Sequence, residues 1–163
     1  GGKGMKTMSK EYVNVSQYRI LKNEEEVDAV VGSSIVLCLW DEKRKLGGII
    51  HFLLPENTHN RESKPCKFGK TGIPYLIDKM KDLGADKRYI EAKIVGGASM
   101  FNPKWEGTVG HRNYLITKKV LEKMNIPMVF ESIGGNAGKH LRFSGKDGEL
   151  KIIRVKGRKH EKN

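Results

Sequence analysis

The chain has 163 residues, with 31 Lys and Arg against 19 Asp and Glu, a formal charge of +12 at pH 7. That length suits one domain with a sizeable core, and the charge favours acidic partners without choosing among nucleic acid, an anionic membrane surface and an acidic protein. No apolar run approaches a bilayer span and no secretory segment follows the start, so the expectation is a soluble, cytoplasmic protein with no membrane insertion.

Gly1-Gly2-Lys3-Gly4 before Met5 reads as an expression remnant, which leaves residues 5–156 as the domain and the basic run from Gly157 to Asn163 as a disordered tail. Tyr12 to Ile20 alternates in part and predicts a first strand. Lys22 to Glu26 is a charged turn, and Val27 to Val31 leads onward with Asp28 expected at the surface. Ile35 to Trp40 and Ile49 to Leu54 are short apolar runs of the kind that strands covered on both faces carry. The polar turn from Asp41 to Leu46 and the flexible Gly47-Gly48 pair join them as a hairpin. Its midpoint falls between Glu42 and Lys43, which sets Ser34 opposite His51. Directly opposed residues have Cβ atoms about 4.5–5.5 Å apart, unless a bulge at the glycines shifts the register.

Glu56 to Gly69 is polar and reads as a surface loop, with His59 either a substrate contact or a solvated side chain. Lys70 to Leu83 spaces Ile73, Leu76, Ile77, Met80 and Leu83 along one helical face, with Pro74 tolerable only in the first turn and Gly84 as the stop. Tyr89 to Val95 is a strand with Ile90, Ala92 and Ile94 on one side. Gly96-Gly97-Ala98 follows at once, where small residues let backbone N–H groups approach a ligand, or simply turn the chain. Trp105, in the loop from Asn102 to Gly107, is a contact aromatic or a packed one.

A second helix runs from Gly110 to about Met124, with Tyr114, Leu115, Val120, Leu121 and Met124 as its apolar positions. Arg112 near its start opposes the helix dipole and calls for a carboxylate or carbonyl partner. Ile126 to Phe130 is a strand, and Gly134-Gly135-Asn136-Ala137-Gly138 is a donor-rich loop without the Lys-Ser/Thr that a phosphate-binding P-loop requires. Leu141 to Phe143 and Leu150 to Val155 form a terminal hairpin. These elements describe one α/β domain with a mixed sheet and about two main helices.

A hydroxyl or thiol beside an imidazole is the minimal nucleophile and base for acyl transfer; the plain alternative is a core-flanking serine and a satisfied core histidine. Cys38 and Cys66 have neither metal nor disulfide spacing and read as spectators. The five histidines form no close ligand cluster, so neither metal nor cofactor is expected. Without a zinc motif, a helix-turn-helix signature or an aromatic RNA-binding stretch, no nucleic-acid partner is expected either.

Five motifs sharpen this reading. Gly32-Ser33-Ser34, then Gly48-Ile49-Ile50-His51 with Leu54-Pro55, then Gly96-Gly97-Ala98-Ser99-Met100-Phe101 and Gly110-His111-Arg112-Asn113, followed by Gly134-Gly135-Asn136, resemble in order the signatures of the chemoreceptor glutamine deamidase family, CheD. The resemblance implies a layered α/β sandwich that hydrolyses glutamine side-chain amides on chemoreceptor cytoplasmic domains to glutamate and ammonia, with the chemotaxis phosphatase CheC as a further partner. It places Ser34 where the family carries its nucleophilic cysteine, His51 where the family has its general base and acid, and Asp28 where the family has a threonine. It also puts Ser33, Gly96, Gly97 and Ala98 at the substrate or oxyanion position. Serine in place of cysteine implies an inactivated form, and the alternative it leaves is an inert adaptor that binds and regulates CheC.

Overall fold

The computed structural model describes residues 11–59 and 64–156. The expected remnant at 1–4 and the basic tail at 157–163 lie outside the described residues. The described chain forms β1 Gln17–Leu21, β2 Glu26–Val31, β3 Ile35–Asp41, β4 Leu46–Phe52, α1 Gly69–Asp82, β5 Ile90–Gly96, α2 Val109–Lys123, β6 Met128–Ile133, β7 Gly138–Ser144 and β8 Leu150–Lys156. A five-stranded sheet runs β1-β4-β3-β5-β6, and a three-stranded sheet runs β2-β7-β8. Every pair is antiparallel except β5 with β6. This is the single α/β domain with a mixed sheet and two helices that the sequence pattern calls for.

Strand β3 explains the layering. All of its residues are buried, and successive side chains point to opposite faces. Ile35, Leu37 and Leu39 pack with α1 and α2 residues such as Ile73, Leu76, Ile77 and Leu121. Val36 and Cys38 pack with Val27, Ala29, Leu141 and Phe143 of the second sheet. The five-stranded sheet is therefore the middle layer, with helices on one face and the smaller sheet on the other.

Several expected boundaries move for identifiable reasons. The first strand starts only at Gln17, because Ser16 turns at φ 72° and Tyr12 makes a single bridge to Asp28 instead. Gly47 and Gly48 do not bulge; they sit inside β4, paired with Trp40 and Leu39. Their neighbours explain why side chains are missing there: a Cβ on Gly48 would lie 2.6 Å from Met80 Sδ, and one on Gly47 would lie 3.1 Å from the Phe143 ring. Both outer layers press on this stretch of backbone.

Helix α1 begins at Gly69, so Pro74 falls beyond the first turn, and the Lys70 carbonyl loses its helical donor. Lys70 is exposed, which leaves that carbonyl to water. Gly84 ends the segment at φ 105°. Helix α2 is capped by Thr108, whose Oγ1 accepts from the His111 N–H at 3.3 Å. Its buried stripe is Gly110, Asn113, Thr117, Val120 and Leu121. Leu115, expected on the apolar face, is 49% exposed. Gly110 is required by contact, since a Cβ there would run into the carbonyl oxygens of Gly97 and Ala98.

Candidate active site

His51 faces Val36 across the β3–β4 ladder. Ser34 lies two residues before Val36, so it shares that face and meets His51 diagonally, one step removed from the direct opposition that the hairpin midpoint predicts. Ser34 Oγ is 2.9 Å from His51 Nε2, and His51 Nδ1 is 2.9 Å from the Val13 carbonyl oxygen. A carbonyl only accepts, so Nδ1 carries the proton and donates it to Val13, while Nε2 presents a lone pair to the Ser34 hydroxyl. The imidazole is held as a base in the correct tautomer. Burial pushes its pKa below the ordinary histidine value, and the bond to Val13 opposes that shift only in part. Ser34 retains 6% and His51 3% of their surface, a recessed pair at the end of the sheet.

The orienting carbonyl is itself fixed. The Val13 N–H donates to the Asp28 carbonyl at 2.9 Å, and the Asp28 N–H donates to the Glu11 carbonyl at 2.8 Å. Residues 11–13 are thereby tied to β2. Asp28 thus serves the site through its backbone, and its side chain corrects the expectation of exposure: the residue is 1% exposed. Its carboxylate does not reach His51. It accepts from Arg142 Nε at 2.7 Å and Nη2 at 3.1 Å, and pairs with His140 Nε2 at 2.8 Å. Burial works against the charge, but these two partners outweigh it and hold the carboxyl below its ordinary pKa.

Gly96, Gly97 and Ala98 do come to the site, in a different role from the expected one. The Gly97 N–H donates to the Ser34 carbonyl at 2.8 Å and the Ala98 N–H to the Gly32 carbonyl at 2.9 Å. Those donors grip the loop that carries Ser34 and are spent on it. Gly96 and Gly97 adopt φ of 124° and 64°, and a Cβ on Gly96 would strike the Ser34 carbonyl. Glycine is required here because two backbones touch. The glycine loop after β6 binds the same strap, with Gly134 N–H donating to Gly96 O and Gly135 O accepting from Ser99 N–H, both at 2.9 Å.

Sequence reasoning missed two groups, the Val13 carbonyl and Asn113. Asn113 is fully buried, and its Nδ2 donates to the Ser33 carbonyl at 3.1 Å and to the Leu53 carbonyl at 3.0 Å. One amide group thus joins the residue before Ser34 to the strand end that carries His51. A polar residue on the buried stripe of α2 was the available signal. Arg112, by contrast, is exposed and its side chain forms no hydrogen bond among the described residues, so the expected partner for it is absent there. His59 is exposed, and Trp105 is packed, donating to the Gly97 carbonyl at 2.8 Å with its ring centroid 4.5 Å from that of His111 at a 47° tilt. Both cysteines are buried, Cys38 in β3 and Cys66 in the segment before α1. Burial raises both thiol pKa values, that of Cys66 to about 11.

Residues 53–154 match a family model described as CheD chemotactic sensory transduction. A protein of Clostridium acetobutylicum is 42% identical over 129 residues, 77% of this chain and 78% of its own length. One of Clostridium novyi is 43% identical over 129 residues, covering 77% and 80%. One of Desulforamulus reducens is 34% identical over 145 residues, covering 86% and 87%. Each is named a probable chemoreceptor glutamine deamidase CheD. The family model starts after Ser34 and His51, whereas a match over 86% of the chain takes in both positions.

Two measurements check the geometry. Asn113→Ala strips two backbone carbonyls of their donor and leaves a cavity, so it is expected to lower unfolding stability by about 2–4 kcal/mol in urea titration. In NMR titration the His51 ring is expected to protonate below the ordinary value of 6.5. As pH falls, the unfolded chain takes up that proton first, so folding stability declines with falling pH from about 6.5 downward until the folded ring is protonated too.

Proposed function

This chain belongs to the CheD family, and on that premise we propose that its Ser34–His51 pair is a glutamine-amide hydrolase site in which serine has replaced the working nucleophile. The observation that carries the reading is the aligned set of Ser34 Oγ, His51 Nε2 and, behind it, Nδ1 donating to the Val13 carbonyl. With a thiol at position 34, His51 Nε2 takes the thiol proton as sulfur attacks the amide carbon. The carbonyl electrons move onto oxygen, and the backbone N–H groups of Ser33 and Ser34 are the candidate donors to it. The imidazolium then returns its proton to the leaving nitrogen, ammonia departs, and water hydrolyses the thioester to the acid. The relatives' names indicate chemoreceptor glutamines as the substrate of those proteins, and the substrates proposed for this chain are such glutamines on the receptors' cytoplasmic domains.

Serine performs poorly in this frame. A thiol with a pKa of about 8.5 is a few per cent ionised at neutral pH, whereas a serine hydroxyl depends wholly on a strong, well-supported base. His51 is backed by a neutral carbonyl and carries no carboxylate to stabilise its protonated form. The Ser34 chain is therefore expected to convert no receptor-peptide glutamine above background. Ser34→Cys is expected to raise the rate at least ~100-fold, read by mass spectrometry as amide-to-acid conversion. No conversion by the folded cysteine form rejects the hydrolase reading.

The same serine favours a second reading, in which this chain is a non-catalytic adaptor that binds the phosphatase CheC. Co-purification of the Ser34 chain with CheC, together with a change in CheC phosphatase rate, is the expected result for that role. No complex at tens of micromolar removes it.

A further inference from the structure

The strand end that carries Ser34 adjoins a second recess. Ser33, the residue before Ser34, borders a cavity of about 280 Å³ whose walls include Ala98, Met100, Phe101, Thr108 and Val109. Among the described residues no charged side chain lines it, in a chain whose formal charge is +12. Phe101 is 92% exposed. A lone exposed aromatic needs no explanation, but this one stands beside Met100, Ala98 and Val109 at the rim of a hollow adjoining the reactive residue. The strap that presents it is held by the Ser99 N–H bond to the Gly135 carbonyl and by Ser99 Oγ donating to the Asn102 carbonyl, both 2.9 Å. The loop that carries Phe101 is thus braced at Ser99.

We propose that this cavity is a specificity subsite that takes one uncharged aliphatic side chain of the substrate, close in space to the glutamine that enters toward Ser34. It rests on the hydrolase-site reading above and adds to it the chemistry of the neighbouring residue. The dimensions favour a side chain over a larger element, because a helix with its side chains is about 10–12 Å across. The walls favour an apolar occupant, since a charged group would lose its water without meeting a counter-charge. Position ties the two recesses together: Ser33 borders one and Ser34 lies in the other, with consecutive Cα atoms about 3.8 Å apart. A peptide lying across the strand end can fill both.

The Ser34 chain permits a test of binding without turnover. Fluorescently labelled peptides with a central glutamine in an alanine background carry a single leucine walked through the flanking positions, and affinities are read by anisotropy. One leucine position is expected to bind at least ~10-fold more tightly than the all-alanine peptide, about 1.4 kcal/mol. Phe101→Ser, and independently Val109→Asp, are expected to bind all peptides of the series alike. Val109 is the first residue of α2, where an added carboxylate suits the helix dipole, so the second variant guards against misfolding of the first. Equal affinity at every leucine position, or a preference that survives both variants, overturns the subsite. Conversion of glutamine by the Ser34→Cys chain with no leucine preference overturns the subsite and leaves the hydrolase reading intact. Leucine-dependent binding without conversion supports the subsite and rejects hydrolysis.

Discussion

The hydrogen bond from His51 Nδ1 to the Val13 carbonyl is the constraint around which the site is arranged. It selects the tautomer, fixes the ring plane, and leaves Nε2 facing Ser34. It also explains why a segment outside the regular strands matters. Residues 11–13 belong to neither sheet, yet two backbone bonds to Asp28 place the Val13 carbonyl where the ring needs it. The three-stranded sheet therefore supplies the support for a base that the five-stranded sheet carries. Joining the two sheets at this end of the sandwich is a requirement of the pair's geometry.

A carbonyl in this position orients the imidazole as well as a carboxylate would, but it does less for the protonated ring. In a serine–histidine–aspartate system the acid stabilises the imidazolium that forms as serine is deprotonated. Here that help is missing, and burial also disfavours the charged ring. A thiol asks far less of its base, because much of the cost of ionising it is already met by its lower pKa. The frame therefore suits a thiol better than a serine hydroxyl.

The parts of this arrangement that side-chain pattern encodes were legible in the sequence. The apolar runs at 35–40 and 49–54 indicate a doubly covered hairpin, and the pairing of Ser34 with His51 follows from its turn. Periodicity reveals α1, α2 and the terminal hairpin within a few residues. What escaped was written in backbone. The Val13 carbonyl has no residue-type signature, and the amides of Gly97 and Ala98, expected to face a ligand, are consumed in gripping Gly32 and Ser34. Asn113 escaped because α2 was read from its apolar residues alone, whereas the buried stripe runs through Gly110, Asn113 and Thr117. Gly47 and Gly48 were read as flexible because glycine in a loop and glycine under two packed layers look alike in a sequence.

Asp28 shows how a buried charge is absorbed by the sheet around it. A carboxylate with 1% exposure is untenable alone, and desolvation is the largest influence on its titration. Two bonds from Arg142 and one with His140 overcome it, all from β7, the strand paired with β2. Removing one member of a buried ion pair typically costs about 3–5 kcal/mol, because the other charge is stranded. The three residues thus constrain one another and lock the β2–β7 register. The Asp28 carboxylate is thus spent on the sheet rather than on His51. What the site takes from position 28 is its backbone N–H and carbonyl, which any residue able to lie in that strand provides.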